Sequence, residues 1–157
     1  MITNKLKNYL TPQEREISSE WQIQLISSEV IEQSDFWDDL FMNEVGSIWR
    51  RLFLLKYQDD PFSLIKSFIP QKLVRNKPKQ SNDISKQNLE LDIDCINKAD
   101  RIKKNILLTW PTSEECRLLL LKQESQVFVE KNYILCDKKI IRYEEEIIIP
   151  DKIEYED

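Results

Sequence analysis

The sequence predicts an α+β domain built on a single antiparallel sheet of about five or six strands with flanking helices. Two hairpin patterns carry most of that expectation. In SIWRRLFLLKYQDDPFSLIKSFIP (Ser47–Pro70), two apolar runs of strand-forming residues flank a QDDP turn signal. In QVFVEKNYILCDKKIIRYEEEIIIP (Gln126–Pro150), two more flank CDKK. The third observation is a helix start: Thr112 and Glu115 in PTSEECRLLLLK stand at the capping-box spacing.

The other elements follow in order. Residues 1–20, with Leu6, Tyr9, Leu10 and Ile17 among charges, read as a helical or irregular lead-in. WQIQLISSEV (Trp21–Val30) alternates Trp21, Ile23 and Leu25 against Gln22 and Gln24, the pattern of a half-buried strand. In SDFWDDLFMNEV (Ser34–Val45), Phe36, Trp37, Leu40, Phe41 and Val45 fall at helical spacing, and Ser34 and Asp35 are candidate caps. After Pro70 the chain turns polar, and residues 74–87 read as a mobile loop. Asn88–Asn105 alternates first like a strand and then like a helix, and both readings stand open. NILLTW (Asn105–Trp110) reads as a strand. Residues 1–157 are expected to form one domain, with Trp37, Trp49, Trp110 and Phe128 in its core.

Composition narrows the chemistry. The chain has 157 residues, 41% hydrophobic and 32% charged, which is ordinary for a globular protein. No apolar run reaches the roughly 18 residues of a membrane span, and no signal-peptide pattern opens the chain, so a cytoplasmic location and no membrane partner are expected. A net charge of −5 and scattered basic residues argue against direct nucleic-acid binding. Cys95, Cys116 and Cys136 fit neither a disulfide framework nor a zinc pattern. The absence of histidine removes Ser-His-Asp and Cys-His chemistry. A single glycine, Gly46, removes glycine-rich phosphate loops. Catalysis, if any, falls to Arg, Lys, Asp, Glu, Tyr or confinement.

Two charged clusters interrupt apolar strands. Arg50 and Arg51 follow Trp49 and precede Leu52–Leu55, and strand alternation sends them to opposite faces. One is expected to snorkel into solvent; the other is a candidate clamp for a carboxylate or phosphate. In RYEEEIIIP, Tyr143, Glu145 and Ile147 share one face while Arg142, Glu144, Glu146 and Ile148 share the other. Periodicity nominates Glu145, on the more apolar face, as a buried carboxylate. A solvated, charged edge that deters strand pairing is the competing reading.

Two of these segments resemble those of a known family. WRRLFLLKYQDDPFSLIKSFIP and IIRYEEEIIIP resemble the strand–turn–strand and last strand of bacterial chorismate pyruvate-lyases. The resemblance implies release of pyruvate from chorismate to give 4-hydroxybenzoate, with neither metal nor organic cofactor. Arg51 stands ten residues before Pro61, and Glu146 four before Pro150, the family's ligand-binding positions. On this reading Arg51 clamps the ring carboxylate, Glu146 hydrogen-bonds the ring oxygen and handles a proton, and Lys66 meets the pyruvyl carboxylate. Leu25, Phe53 and Ile148 supply apolar walls. The family's leucine–glycine motif is missing.

The C-terminal part, TSEECRLLLLKQESQVFVEKNYILCDKKIIRYEEEIIIPDKIEY, also resembles the UTRA ligand-sensing domains of GntR-type regulators, which share the chorismate lyase-like fold. That implies the alternative: a non-catalytic sensor of a small anionic metabolite, monomeric or homodimeric. Only about twenty residues precede Trp21, too few for the DNA-binding domain that precedes such sensors. A protein-binding module is a third reading.

Overall fold

A computed structural model describes residues 2–5, 21–74, 99–122, 125–150 and 153–156. Six antiparallel strands form the main sheet: β2 (Trp21–Ile31), β3 (Ile48–Tyr57), β4 (Asp60–Pro70), β5 (Arg101–Thr109), β6 (Val127–Cys136) and β7 (Lys139–Ile148). Their spatial order is β2-β3-β4-β7-β6-β5. A separate parallel pair joins β1 (Ile2–Lys5) to β8 (Ile153–Glu156), so residues 2–5 form a strand and not a helical or irregular lead-in. Two short helices complete the described residues, α1 (Asp35–Phe41) and α2 (Ser113–Leu119), with a 3-10 turn at Gln71–Leu73. The expectations for residues 6–20 and 75–98 lie outside the described residues.

Both predicted hairpins form, each through a two-residue turn with both residues left-handed: Gln58 (φ 50) and Asp59 (φ 68), then Asp137 (φ 50) and Lys138 (φ 67). Such turns match the twist of the flanking strands and usually recruit glycine or asparagine. Here neither has a glycine. Met42 and Leu120 also adopt left-handed backbone, closing α1 and α2 respectively.

Helix α2 starts as its sequence dictates. The Thr112 hydroxyl accepts the Glu115 N–H at 3.2 Å, and the Glu115 carboxylate accepts the Thr112 N–H at 3.0 Å. Helix α1 is shorter than its apolar spacing suggests. Asp38 draws the chain away from helix beyond Phe41, because its carboxylate accepts the Val45 N–H at 3.1 Å and the Gln33 amide at 2.9 Å. Those two bonds, Gln33's first, hold the Asp38 pKa below its ordinary value. Ser34 occupies the N-cap position without a side-chain capping bond, and Phe36 is exposed.

Both helices pack on one face of the sheet. Leu119 of α2 joins Leu52, Leu54, Leu64, Val127, Val129 and Ile147 in one cluster. Phe41 and Val45 join Ile48, Phe68 and Tyr143 in another. The Tyr143 hydroxyl donates to the half-buried Glu145 carboxylate at 2.7 Å. Burial, and next that carboxylate, push the phenol well above its ordinary 10.0. A raised pKa means the folded protein retains a proton that the unfolded chain loses. Its stabilising contribution is complete below pH 10.0 and falls as pH rises further, by about 1.4 kcal/mol per pH unit. Tyr143→Phe should remove that share of the alkaline loss, read as a shallower fall of Tm between pH 10 and 11 than the parent protein shows.

Of the aromatics expected in the core, Trp49 is fully buried and Trp37 and Phe128 are half-buried. Trp110 is 61% exposed, because β5 ends at Thr109 and leaves it beyond the sheet. Strand β5 itself begins at Arg101, four residues before the NILLTW segment.

Candidate polar site on the opposite sheet face

Register builds the second face. Across β3, β4, β7, β6 and β5, one row reads Arg51, Ser67, Glu144, Asn132, Lys104. The next reads Phe53, Ile65, Glu146, Glu130, Ile106, and a third reads Leu55, Ser63, Ile148, Phe128, Leu108. Cross-strand partners share a face, so these rows gather charged side chains amid apolar ones. Arg51, Glu130, Asn132, Arg142, Glu144 and Glu146 are each at most 2% exposed.

Arg51 is held by its own strand. Trp49 and Phe53 lie two residues to either side on the same face, and the guanidinium carbon sits 4.3 Å and 5.0 Å from their ring centroids. An arginine between two aromatic planes keeps its charge while its fork is oriented. Its Nη2 donates to Ser67 Oγ at 3.3 Å, and Trp49 Nε1 donates to Ser28 Oγ at 2.9 Å. Arg50, on the other face, bonds to the exposed Glu29 at 2.7 Å. The expectation of one solvated and one enclosed arginine thus resolves in favour of Arg51 as the enclosed one.

The glutamate run divides in the same way. Strand β7 lies between β4 and β6, so the segment is an interior strand and the charged-edge reading is overturned. Glu146 accepts a 2.6 Å hydrogen bond from Ser63 Oγ, and Glu144 pairs with Arg142 at 2.8 Å. Glu130 pairs with Lys104 at 3.0 Å. Glu145 points to the helix face instead.

The structure therefore brings Arg51 and Glu146 to one face, one row apart. Lys66 is not brought to them. It lies on the helix face, where its ammonium meets Glu115 of α2 at 2.9 Å. Leu25, Phe53 and Ile148 are buried. Sequence reading passed over Glu130, Asn132, Lys104, Ser63 and Ser67. Alternation in QVFVEKNYIL held the signal for two of them, since Glu130 and Asn132 fall at the same parity as Phe128 and Ile134.

Asn132 is the most informative of these. It is fully buried, and neither its amide oxygen nor its amide nitrogen has a hydrogen-bond partner among the described residues. Its row neighbours are Glu144 and Lys104, with Arg51 and Ser67 beyond. The face thus offers guanidinium and ammonium donors, carboxylate and hydroxyl acceptors, and an amide able to do both. Among the described residues, no group of three or more His, Cys, Asp or Glu side chains is placed to hold a metal ion.

No family model and no curated protein matches the chain. Solved structures do. A GntR-family transcriptional regulator from Bacillus cereus superposes with a TM-score of 0.73 at 13% identity, covering 88% of this chain and 98% of that one. The effector domain of PhnF from Mycobacterium smegmatis gives 0.72 at 12% identity, covering 92% and 91%. The C-terminal domain of the histidine utilization repressor from Pseudomonas syringae gives 0.74 at 11% identity, covering 87% and 96%. With the six-stranded antiparallel sheet and two helices of its described residues, the chain has the chorismate lyase-like α+β fold of the C-terminal domains of GntR-family regulators.

Proposed function

We propose that the chain is a ligand-binding regulatory domain that takes a small anionic metabolite on the polar face of its sheet. The observation that carries this reading is the buried amide of Asn132 in one row with Arg51. An unsatisfied buried polar group costs about 1–3 kcal/mol, and such groups call for an explanation. A polar ligand lying against the row accounts for it. Arg51 supplies a pre-oriented anion clamp, Asn132 a donor and acceptor, and Glu146 an acceptor for a ligand hydroxyl or amine. The effector-domain structures of like fold support a regulatory role.

Calorimetric titration with a panel of sugar phosphates and small carboxylates tests the proposal. A binder from this panel should lose about 1.5–3 kcal/mol, roughly ten- to a hundredfold in Kd, on Arg51→Met. Arg50→Met should leave it unchanged. Asn132→Leu should weaken binding while keeping or raising Tm, since it removes an unsatisfied amide. Equal affinity in parent, Arg51→Met and Asn132→Leu would place binding elsewhere.

A second reading, a chorismate pyruvate-lyase, is favoured by Arg51 and Glu146 standing at the family spacings and facing one side. It assigns Glu146 the ring oxygen and Arg51 the ring carboxylate, and needs no cofactor. Aromatisation of the ring drives the elimination, and the protein contributes orientation and electrostatics. Lys66, on the helix face, takes no part in it. Chorismate incubated with the purified chain should then yield 4-hydroxybenzoate and pyruvate in equal amounts. A yield at the uncatalysed background removes this reading and leaves the first intact.

A further inference from the structure

A second cleft opens where the end of α1, the 3-10 turn and the start of β7 meet. Its volume is about 540 Å³, within the roughly 300–1,000 Å³ of small-molecule sites. Phe41, Val45 and Pro70 wall it. The first two belong to the helix-face cluster of Ile48, Phe68 and Tyr143, not to the face of Arg51. Strand β7 adds to the wall through an irregularity: Ile134 pairs with Arg142 and Leu135 with Ile140, so Ile141 is an extra residue. Such a bulge re-aims side chains, and the adjacent Ile140 and Ile141 both line the cleft. Two further lining residues, Met42 (86% exposed) and Leu73 (48%), are large apolar side chains left in water. Apolar surface gathered in this way marks an interaction site.

The charge of this cleft runs against that of the chain. Asp and Glu outnumber Lys and Arg by 28 to 23, yet the described residues lining it include Lys72, Lys138 and Lys139 and no carboxylate. Lys72 donates to the Glu44 carbonyl at 2.8 Å, a bond that positions its ammonium without neutralising it. The Asp38 carboxylate, which feels the Lys72 charge, is taken up by the Val45 N–H and the Gln33 amide. Lys138 and Lys139 form no ion pair among the described residues. We propose that the cleft is a second binding site, for a free amphiphilic monoanion: a carboxylate on an aliphatic or aromatic body. The body lies against Phe41, Val45 and the two isoleucines, and covers Met42 and Leu73. The carboxylate stays at the exposed rim, among three ammonium donors, because in the apolar floor its charge would go uncompensated. The concavity of the apolar surface suits a separate molecule better than the plane of a bilayer.

Titration of the methyl-labelled full chain with decanoate, below its micelle concentration, tests the site by magnetic resonance. The methyl signals of Met42, Leu73, Ile140 and Ile141 should shift and saturate together. Decylammonium, with the same body and the opposite charge, should leave them in place. Lys138→Asn with Lys139→Gln should raise the Kd for decanoate about fivefold and flatten its dependence on salt. Met42→Asn with Leu73→Ser should raise it as well, through lost apolar contact. All four positions are exposed, and asparagine tolerates the left-handed backbone of Lys138 and Met42, so both double variants keep the fold. Arg51→Met, on the other face, should leave decanoate affinity unchanged. Methyl signals that decanoate does not move overturn the proposal. So do equal shifts with decylammonium, or decanoate binding that Arg51→Met abolishes and the lysine variant does not. Binding to phosphatidylglycerol vesicles without binding to decanoate overturns it too, in favour of a membrane-facing surface.

Discussion

Glu144→Ala should lower the free energy of unfolding by about 3–5 kcal/mol, read as a drop in the urea midpoint at unchanged slope. Glu144 and Arg142 are two residues apart on β7, 2.8 Å from each other, and essentially without solvent contact. Desolvating both ions is expensive, and their mutual attraction offsets much of that cost only while both are present. Deleting the carboxylate strips the guanidinium of that compensation in a medium that cannot hydrate it. Two variants separate this mechanism from a general weakening of the strand. Glu145→Ala, one residue on and half-buried, should cost about 0.5–1.5 kcal/mol, the value of its bond from Tyr143. The pair Arg142→Met with Glu144→Leu should recover most of the loss, because an apolar pair of similar volume replaces two desolvated ions. A single-variant loss near that of Glu145→Ala would show the pair to be hydrated in solution.

Phe53→Ala is expected to cost about 3–5 kcal/mol as well, by a different route. Phe53 is fully buried on β3 and packs with Leu25, Leu55 and Ile65. Removing the ring opens a cavity that a strand bonded on both sides cannot close by shifting. Against a typical total of about 5–15 kcal/mol, that loss brings a domain of this size close to unfolding at ordinary temperature. The ring is also one of the two planes beside the Arg51 guanidinium. Ligand affinity should therefore fall at temperatures where the variant remains folded. Phe36→Ala on α1, at an exposed position, should change stability by about 0.5 kcal/mol or less.

These outcomes bear on how far the sequence could be read. Strand alternation and turn residues are local, so both hairpins, the capping box of α2 and the opposed directions of Arg50 and Arg51 were legible. Sheet order is not local. Nothing within RYEEEIIIP tells that β7 sits between β4 and β6, so three adjacent glutamates looked like an edge. Glu144 and Glu146 meet Arg142 and Ser63 on the face opposite the helices, while Glu145 turns to the helix face. Lys66 looked like a ligand because its segment matched a family pattern. Yet parity with Leu64 and Phe68 already sent it to the helix side, where Glu115 lies. Asn132 was missed for a simpler reason. An asparagine in a strand carries no mark of being buried until its neighbours in the sheet are known.

The scarcity of glycine has a consequence for the chain before it folds. Six described residues other than glycine adopt the left-handed backbone region, at two hairpin turns and two helix ends. Each carries a steric penalty of about 1 kcal/mol that glycine avoids. Glycine, however, gives the denatured ensemble many more accessible conformations, all of which must be surrendered on folding. A chain with one glycine in 157 residues starts from a stiffer, less diverse ensemble. Its strain is concentrated at a few turns of the native state instead of being spread as entropy through the unfolded one.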